Sequence, residues 1–559
     1  MKNKLYISLI IFLLSFNYVF SQNEPFSMRV INPGYQLNSA WEITWGPDDS
    51  LWVTENFAYL VSRIDPITGG KTVLIDLSSK KDFTSPPRWP QGGLMGMALH
   101  PTLYSEWPNA SKPWVYLAYV YHYNTSTGCS SNGSSTSPCR FNTKIVRYDY
   151  DRATHTLSNE QVIISSLNGS NDHNSGRLTI GKVDDVPYLF YTIGDMGAGQ
   201  FNNINRTNNA QTRDTLEGKV LRFNMEPDGD AGALDKWIPN DNPFTDANSK
   251  PTAVWSWGHR NAQGIVFGSN GKLYQSEQQD KSDDEVNIID SARNYGWPRV
   301  SGYCDGNYNG LTLANKTVHS EQDSCTALNV KEPIYTLFSD PNPGALGSNY
   351  LTWPTVACSS IDVYEKSAIP YWNRSLLVTS LKAGQIFRLK LDPTGTSVID
   401  SSTIPAMRNQ GRYRDICISP DGLKIYAACD ISGQTSGPTG SYNGGGTQPT
   451  HAGRILEFTY TGPIGPLAIN DSVNTYTRNT VIQVFPNPAS KILYIKSIKN
   501  VSKPLHYLIY NTTGKLVLKG NSNNDYFSVD VETLTPGIYI FKLFNAYNIN
   551  LKTEKIMIK

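Results

Sequence analysis

The stretch Trp41-Glu42-Ile43-Thr44-Trp45-Gly46-Pro47-Asp48-Asp49-Ser50-Leu51-Trp52-Val53-Thr54-Glu55 has the pattern of a β-hairpin. An apolar strand leads into a tight turn at residues 46–49, and a second strand ends in an acid. Turn residues placed between two short strands are typical of hairpins. The same unit recurs, less regularly in one copy, in residues 178–195, 263–277 and 414–430.

These repeated hairpins predict an all-β fold. Long helical periodicity is scarce, and hairpins spread through most of the chain indicate radial repetition, as in a β-propeller. The spacing of the hairpins is irregular and does not give a blade count. An array of β-sandwiches is the alternative interpretation.

The N-terminus has the layout of a secretory signal peptide, predicted for residues 1–21. Lys2 and Lys4 precede an apolar run, and Ser21-Gln22 follows as a cleavage site. A membrane anchor is the alternative, but the run is short and broken by polar residues. No later segment is apolar enough to span a bilayer, so we expect no transmembrane segment in the mature chain. The net charge of +1 argues against a nucleic-acid partner.

Seven cysteines in an exported chain predict disulfides with at least one thiol left over. Cys129 and Cys139 bracket a loop rich in Ser, Gly and Asn, and they form one candidate pair. Cys304 with Cys325 is the second. Because no CxxC spacing occurs, a zinc site or a thioredoxin-like site has no support.

The C-terminal part has a different character. A linker with Pro and Gly is expected at residues 463–480, and strands alternate with turns over residues 481–559, which predicts a small β-sandwich. The segments Phe485-Pro486-Asn487-Pro488-Ala489 and Leu534-Thr535-Pro536-Gly537-Ile538-Tyr539 and the lysine-rich end resemble the sorting domain of the type IX secretion system. The resemblance implies that the type IX machinery exports the protein from the periplasm to a secreted or surface-attached location. An ordinary carbohydrate-binding or immunoglobulin-like module is the alternative.

An Asp-His pair, Asp172-His173, lies in a turn rich in Gly and Asn that opens a strand. Histidine is the default general base because its unperturbed pKa is nearest neutrality. A flanking carboxylate can orient the ring or increase its basicity. Taken alone, the pair is equally typical of a solvated loop.

Two arginines, Arg412 and Arg414, are spaced two apart on a predicted strand and would share one face. Like charges side by side are unfavourable unless an anion or an acid lies between them. The arginines therefore indicate either an anion site or a solvated edge strand with Asp415 nearby.

These segments occur in the same order as in a known family. Together with Gln91-Gly92-Gly93-Leu94, Gly258-His259-Arg260-Asn261 and Ser380-Leu381-Lys382, they resemble the soluble glucose dehydrogenases that use pyrroloquinoline quinone (PQQ). The resemblance runs from about residue 91 to residue 460. It implies a six-bladed β-propeller over residues 22–462, followed by the small C-terminal β-sandwich. Further segments in the family's register are residues 264, 270–273, 275–278, 282–285, 294–298, 353–355, 386–388 and 419–422.

The resemblance also implies chemistry: oxidation of an aldose such as glucose to the lactone, with hydride transfer to PQQ. His173 would be the general base, Asp172 would hold its ring and contact the sugar, and Arg260 would stabilise charge on the quinone oxygen. Tyr350 and Trp353 would form an aromatic wall, although plain packing is the alternative for both. The sugar hydroxyls would be bound by Gln91 and Gln200. The cofactor would be bound by Gln91, Arg260, Asn261, Lys382, Arg412 and Arg414.

Calcium is the second implied cofactor. In the family it bridges PQQ and two backbone carbonyls at a Gly-Pro pair, and this chain has Gln279-Asp280 there. Carbonyl oxygens survive side-chain changes, and Ca²⁺ accepts oxygen ligands flexibly. Asp280 would either add a carboxylate or face solvent. A second, structural calcium would have the ligands Glu285, Tyr295, Ser301 and Asp305, although a solvated loop is the ordinary interpretation of the acidic run at residues 283–285.

Three departures leave the preferred sugar open. Residues 347–352 lack the family's cysteine pair, and Cys358 stands in place of a proline; the loop at residues 120–142 is peculiar to this chain. The same chemistry on another sugar or an oligosaccharide is therefore one alternative. A non-catalytic propeller that binds glycans at the cell surface is the other. The expected partners are an aldose and an external electron acceptor, and a homodimer is left open.

Overall fold

In the computed structural model, the described residues are 24–83, 90–124, 140–436, 450–463, 482–497, 503–512, 515–544 and 550–559. The predicted signal peptide, the pair Cys129 and Cys139, and nearly all of the predicted linker lie outside them. Strands and turns make up most of the described chain, which confirms the all-β prediction.

Six four-stranded antiparallel sheets follow one another between residues 26 and 460 of the described chain. The N-terminal strand β1 (Phe26–Val30) belongs to the last of these sheets. The first sheet contains β2 (Ala40–Trp45), β3 (Leu51–Glu55), β4 (Leu60–Ile64) and β5 (Lys71–Asp76). The second contains β6 (Leu94–Leu99), β7 (Trp114–Tyr123), β8 (Arg140–Asp151) and β9 (Thr156–Ser170), with helix α1 (Pro101–Ser105) between β6 and β7.

The next two sheets carry most of the predicted site residues near the ends of their strands. The third contains β10 (Leu178–Val183), β11 (Val186–Ile193), β12 (Lys219–Phe223) and β13 (Val254–Trp257). The fourth contains β14 (Asn261–Phe267), β15 (Leu273–Gln278), β16 (Asp284–Ile288) and β19 (Tyr335–Leu337). Between β16 and β19 the chain forms a small hairpin of β17 (Thr312–Leu313) and β18 (Lys316–Thr317), followed by helix α2 (Glu321–Leu328).

The last two sheets bring the chain back to its N-terminal strand. The fifth contains β20 (Cys358–Tyr364), β21 (Ser375–Ser380), β22 (Ile386–Leu391) and β23 (Val398–Thr403). The sixth contains β24 (Tyr413–Ile418), β25 (Lys424–Cys429) and β26 (Ile455–Tyr460), with β1 paired to β26. Short 3-10 helices lie at Ser78–Lys80, Phe201–Asn203, Asp235–Trp237, Pro343–Ala345, Tyr350–Thr352 and Pro405–Met407.

All four hairpins predicted from the sequence are present, as β2–β3, β10–β11, β14–β15 and β24–β25. The first turn shows why its residues are needed. A Cβ on Gly46 would lie 2.2 Å from the indole of Trp52, and the Nε1 of that indole donates to Asp48 Oδ1 at 2.9 Å. The lack of a side chain at Gly46 therefore leaves room for the indole of Trp52, which is held in place by its hydrogen bond to Asp48.

The six sheets are arranged in a ring. The first strand of each sheet (β2, β6, β10, β14, β20 and β24) lies against the first strand of the next, and β24 lies against β2. Buried apolar clusters fill the space between neighbouring sheets, so burial of apolar surface holds the ring together. The polar ends of the first strands consequently meet near the centre.

A buried arginine joins the first strands at the centre of this ring. The Arg177 guanidinium, just before β10, lies 2.7 Å from Glu42 Oε2 and 2.9 Å from Asp415 Oδ2. It also donates to the carbonyls of Gln263 and Ser359. Removing one member of such a buried network leaves an uncompensated charge, which is strongly destabilising. Asp415 is thus engaged in the centre and does not lie between Arg412 and Arg414.

The predicted disulfide between Cys304 and Cys325 is confirmed. It ties the loop after β16 to α2, a helix that Ser320 caps by accepting from the backbone N–H of Asp323 at 3.1 Å. The thiols of Cys358, Cys417 and Cys429 are free and buried.

The C-terminal part forms two further sheets. One has the order β27 (Ile482–Phe485), β28 (Ile492–Ser497) and β31 (Tyr526–Asp530). The other has the order β30 (Leu516–Ser522), β29 (Leu505–Asn511), β32 (Gly537–Phe544) and β33 (Asn550–Ile558). Leu493 and Ile495 from the first sheet share one apolar cluster with Ile509, Phe541 and Leu543 from the second. Within the described ranges, no helix has the length and apolar character needed to cross a membrane.

Candidate active site

His173 is held by an acid from the neighbouring hairpin. Its Nδ1 lies 2.7 Å from Asp195 Oδ1, which follows β11. Asp195 also accepts from Trp297 Nε1 at 2.7 Å and from Asn208 Nδ2 at 3.0 Å. A carboxylate at Nδ1 favours the tautomer with the proton on Nδ1. The Nε2 of His173 makes no hydrogen bond to the described residues, so it is available as a proton acceptor.

Asp172 lies beside the ring of His173 but makes no hydrogen bond to it in the described chain. Its Oδ1 is 3.7 Å from Nε2, the nitrogen opposite the one that Asp195 holds. Oδ1 accepts from Gln91 Nε2 at 3.2 Å and from the His173 backbone N–H at 3.1 Å. Asp195 therefore orients the imidazole, and Asp172 remains partly open, with its side chain 28% exposed.

Gln91 is fixed by the loop that carries His173. Its Oε1 accepts from the Asn174 backbone N–H at 2.9 Å, and its carbonyl accepts from Asn174 Nδ2 at 2.7 Å. The backbone of His173 has a positive φ of 51°, a conformation that histidine adopts more readily than most residues. These contacts place an amide and a carboxylate next to the free Nε2.

The Arg260 guanidinium contacts two side chains and one backbone carbonyl. NH2 donates to Gln200 Oε1 at 2.8 Å, NH1 donates to the Gln278 carbonyl at 3.1 Å, and the group packs 5.2 Å from the centre of the Trp297 ring. The backbone carbonyl of Arg260 accepts from the Asp195 backbone N–H at 2.8 Å. The arginine and the histidine are thus joined through Asp195.

Asn261, beside Arg260, connects the same two segments. Its Nδ2 donates to Gln278 Oε1 at 3.1 Å, and its Oδ1 accepts from Ser175 Oγ at 3.3 Å. Both Asn261 and Ser175 are fully buried. The amide therefore has a structural partner on each side.

Lys382 is a buried ammonium with two carbonyl partners. Its Nζ donates to the Trp353 carbonyl at 2.5 Å and to the Thr355 carbonyl at 3.0 Å. Burial lowers the pKa of Lys382 to about 8, while the carboxylate of Asp284 acts in the opposite direction. Asp284 in turn accepts from the backbone N–H of Gln279 at 2.9 Å. The lysine therefore lies in the same local network as the predicted calcium segment.

Arg412 and Arg414 flank Asp430, which directly follows β25. Arg414 binds it with Nε at 3.0 Å and NH2 at 2.7 Å, and Arg412 Nε lies 4.0 Å from Oδ2. The acid expected between the two charges is thus present, and it is Asp430. Burial lowers the pKa of Arg412, which is the sign of a cation short of compensating charge.

One segment joins these arginines to Lys382. Arg412 NH1 donates to the Gln434 carbonyl at 2.5 Å, and the Ser436 backbone N–H donates to the Lys382 carbonyl at 2.7 Å. The Lys382 backbone and the Arg412 side chain are therefore bound to the same short segment, residues 434–436. The Nε atoms of Arg260 and Arg412 are buried and have no hydrogen-bond partner in the described chain. Unused guanidinium donors of this kind suit an anionic ligand such as a carboxylate.

The predicted aromatic wall occupies a short 3-10 helix and the residue after it. Tyr350 is 58% exposed, so it is not a core residue. Trp353 donates from Nε1 to the Gly347 carbonyl at 2.6 Å, and Lys281 Nζ lies 5.4 Å from its ring centre. Plain packing therefore does not account for Tyr350.

The predicted ligands of the cofactor calcium have free oxygen atoms. The carbonyls of Gln279 and Asp280 accept no hydrogen bond from the described residues. The Asp280 side chain is 20% exposed and lies 3.7 Å from Arg260 NH2, so it does not simply face solvent. Across the described ranges, no group of three or more His, Cys, Asp and Glu side chains could hold a metal ion. A cation here would therefore depend on backbone carbonyls.

The predicted ligands of the structural calcium are brought together only in part. Glu285 accepts from the Gly302 backbone N–H at 2.8 Å, next to Ser301, whose Oγ lies 3.3 Å from Gln279 Oε1. Burial raises the pKa of Glu285. Tyr295 stacks on His259 with ring centres 4.7 Å apart, and the side chain of Asp305 accepts from the backbone N–H of Asn307, its one hydrogen-bond partner among the described residues.

A second histidine–acid pair was not predicted. His259 Nδ1 lies 2.9 Å from Glu277 Oε2, and its Nε2 lies 2.9 Å from Ser256 Oγ. Burial lowers the pKa of His259 to about 3 and raises that of Glu277 to about 8. Glu277 Oε1 also accepts from the Arg260 backbone N–H.

One sequence signal could have identified the missed acids. Asp195, Glu277 and Asp430 each stand at or just after the second strand of a predicted hairpin. Each binds a histidine or an arginine of the site. In three of the four hairpins, the acid at the end of the second strand therefore binds a side chain of the site.

Comparisons with known proteins show the family to which the chain belongs. Residues 37–436 match the family model for glucose/sorbosone dehydrogenases, and residues 483–559 match that for the secretion system C-terminal sorting domain. Since the first match covers most of the chain, the protein belongs to the glucose/sorbosone dehydrogenase family. It is 35% identical over 482 residues to quinoprotein glucose dehydrogenase B of Acinetobacter calcoaceticus, covering 79% of this chain and 92% of the relative.

Two solved structures resemble the chain in fold. The PQQ-bound aldose sugar dehydrogenase of Streptomyces coelicolor is 23% identical with a TM-score of 0.50, covering 78% of this chain and 98% of that one. The apo form of the soluble aldose sugar dehydrogenase of Escherichia coli is 21% identical with a TM-score of 0.53, covering 78% and 100%. At these identities the likeness concerns the fold alone.

Proposed function

We propose that this protein is an exported, PQQ-dependent aldose dehydrogenase that oxidises a glucose-like sugar at its anomeric carbon to the lactone. The observation that carries the proposal is the free Nε2 of His173, held in place by Asp195 and lying in one network with Arg260. Family membership supports the reaction class. The Acinetobacter relative is named a quinoprotein and the Streptomyces structure contains PQQ, which supports the cofactor.

The architecture that goes with this function is a six-bladed β-propeller in which each four-stranded sheet is one blade. The ring of first strands and the pairing of β1 with β26 support this assignment. Residues 1–21 would be the signal peptide, 22–462 the propeller, 463–480 the linker, and 481–559 a β-sandwich that directs type IX export. The match to a secretion sorting domain supports secretion or surface attachment.

The cationic side chains fit the cofactor. PQQ supplies a quinone that accepts the hydride, and it carries three carboxylates. Lys382, Arg412 and Arg414 would bind carboxylates, and Asn261 and Gln91 would add polar contacts. The unpartnered Nε atoms of Arg260 and Arg412 support this fit, because a buried donor without a partner costs free energy unless a ligand satisfies it.

The protein's own residues account for the proton transfer. His173 Nε2 takes the proton of the anomeric hydroxyl, and Asp195 stabilises the positive charge that forms on the ring. Gln91, Asp172 and Gln200 position the sugar hydroxyls. Arg260 stabilises negative charge that develops opposite the histidine, a fixed electrostatic contribution that needs no reorganisation during the reaction.

Calcium would be held by the carbonyl oxygens of Gln279 and Asp280 next to the cofactor. Both carbonyls lack a donor among the described residues, and Ca²⁺ accepts such oxygens. A second ion would lie near Glu285 and Ser301, with Tyr295 and Asp305 supplying further oxygens. An external electron acceptor would reoxidise the cofactor.

Activity of the purified protein tests the assignment. Dye-linked oxidation of aldoses is expected only after PQQ and Ca²⁺ are added. If the protein binds PQQ tightly but oxidises no aldose in a panel, the proposed substrate class is wrong. His173→Ala separates the enzyme from a glycan-binding propeller, because an enzyme loses turnover and keeps PQQ, whereas a glycan-binding protein keeps its ligand affinity.

A second substrate class has support from one observation. Tyr350 is 58% exposed, and an exposed aromatic ring next to a sugar site can stack on a further sugar ring. An oligosaccharide with a free reducing end is therefore the alternative substrate. A comparison of kcat/KM for glucose and for a series of glucose oligomers distinguishes the two.

A further inference from the structure

Asp280 is a charged residue in the loop between β15 and β16. The carboxylate turns inward: its Oδ1 accepts from Gln200 Nε2 at 3.1 Å and lies 3.7 Å from Arg260 NH2. Gln200 Oε1 in turn accepts from Arg260 NH2 at 2.8 Å. Asp280, Gln200 and Arg260 thus form a closed cluster of three side chains, which we call the 280 cluster.

The chemistry of the 280 cluster fixes the direction of the Gln200 amide. An ionised carboxylate can only accept hydrogen bonds and a guanidinium can only donate them. The Gln200 nitrogen must therefore face Asp280, and the Gln200 oxygen must face Arg260. Turning the amide over would place like groups against each other on both sides. A proline at position 280 has no side-chain acceptor and would not impose this orientation.

The fixed amide has one donor and one acceptor direction left. One N–H of Gln200 is used by Asp280 and the other remains, and the oxygen keeps a second lone pair after accepting from Arg260. A sugar hydroxyl would meet both groups in a constant position. Arg260 is likewise held by Gln200 on one side and by the Gln278 carbonyl, at 3.1 Å, on the other.

We propose that Asp280 is a positioning residue that orients Gln200 for sugar binding and, through Gln200, holds the Arg260 guanidinium. The inference rests on the proposed function, since it assigns Gln200 to the sugar. Asp280 acts as a hydrogen-bond acceptor and does not touch the substrate. Its effect is on the affinity for the sugar more than on the rate of the chemical step.

Substitutions at position 280 distinguish the role of Asp280 as a hydrogen-bond acceptor from an effect of its negative charge. Asp280→Ala removes the acceptor, and we expect the aldose KM to rise roughly three- to tenfold, the range of one ordinary hydrogen bond, with a smaller change in kcat. Asp280→Asn keeps an acceptor oxygen without the charge. Its KM is expected between those of the wild type and of Asp280→Ala, closer to the wild type.

A double-mutant cycle identifies the side chain through which Asp280 acts. Gln200→Ala is combined with Asp280→Ala, and the second substitution is expected to add little to the first because the amide it orients is gone. Asp323→Ala, an exposed acid in the first turn of α2, is the matched control and is expected to leave KM unchanged. PQQ affinity and the thermal midpoint are measured for each variant.

Three results would overturn the proposal. They are an unchanged KM in Asp280→Ala, equal effects of Asp280→Asn and Asp280→Ala, and full additivity with Gln200→Ala. Loss of calcium affinity in both Asp280 variants, measured by titration of the PQQ-loaded protein, would assign the carboxylate to the metal instead.

A crystal structure of Asp280→Ala adds a readout that does not depend on turnover. Gln200 is expected to move away from Arg260 NH2, whereas an unmoved amide would contradict the inference. If the wild-type protein oxidises no aldose, the proposed function fails, while this crystal structure still decides the role of Asp280.

Discussion

The two histidine–acid pairs of the site have nearly the same geometry and opposite surroundings. His173 lies 2.7 Å from Asp195, and His259 lies 2.9 Å from Glu277. The Nε2 of His259 is occupied by Ser256 Oγ, and its side chain is fully buried. The Nε2 of His173 makes no hydrogen bond within the described chain, and its side chain keeps 7% exposure.

The difference shows that a carboxylate at Nδ1 does not by itself make a histidine a base. The second nitrogen must also be open to a substrate. His259 instead has a structural role. It binds Glu277, and Glu277 accepts from the Arg260 backbone N–H. One pair is therefore expected to control turnover and the other to control stability.

Removing the open histidine is expected to have the largest effect. His173→Ala eliminates the proton acceptor, so kcat should fall roughly 10²- to 10⁴-fold, while PQQ binding, followed by absorption, should persist. Steady-state kinetics with saturating PQQ and Ca²⁺ measure the change. A variant with more than a tenth of wild-type turnover would show that another group accepts the proton.

The acid that holds the ring is expected to have the next largest effect. Asp195→Asn keeps the size of the side chain but favours the wrong tautomer of His173, and kcat should fall by about 10²-fold. Asp185→Asn is the matched control, because Asp185 lies exposed in the turn of the same hairpin. Equal activity of the two variants would contradict the role given to Asp195.

The enclosed histidine is expected to affect stability. His259→Gln removes the stack on Tyr295 and leaves Glu277 with a poorer partner, so the free energy of unfolding should fall by roughly 1–3 kcal/mol. Urea unfolding measures this loss, and the kcat of the folded fraction should change less than in Asp195→Asn. A loss of kcat as large as that of His173→Ala with unchanged stability would reverse the assignment of the two pairs.

The enclosed pair also predicts a pH dependence, which is the smallest effect. Glu277 has a folded pKa of about 8 and His259 one of about 3. Between about pH 6.5 and 8 the folded pair holds one proton more than the unfolded chain, so stability falls as the pH rises through this window. Glu277→Gln cannot release that proton, and its unfolding free energy should fall less steeply there. Parallel slopes for the two proteins would contradict the raised pKa of Glu277.

The sequence predicted the hairpins and offered candidate side chains for the site, but it did not identify the acids that bind them. Asp415 is adjacent to Arg414, yet Asp415 binds Arg177 and Asp430 binds Arg414, at a point where the pairing of β24 with β25 is irregular. The ring of His173 is likewise held by Asp195 from the next hairpin and not by the adjacent Asp172. Such partners depend on which strand ends meet in space, and the pattern of one strand does not contain that information.

The orientation of Asp280 shows the same limit at one position. The sequence left open whether its carboxylate faces the site or solvent, because both fit a loop after a strand. The contact with Gln200 decides it, and Gln200 belongs to a loop of the preceding sheet. Disulfide pairing was easier to predict, since Cys304 and Cys325 lie 21 residues apart.

The most direct test of the central claim is an anaerobic absorption spectrum of the PQQ-loaded protein before and after an aldose is added. We expect the spectrum of oxidised PQQ to change to that of reduced PQQ in the wild type, and to remain unchanged over the same time in His173→Ala. A protein that binds PQQ but whose spectrum no aldose changes, or a His173→Ala variant that is reduced as fast as the wild type, would contradict the account.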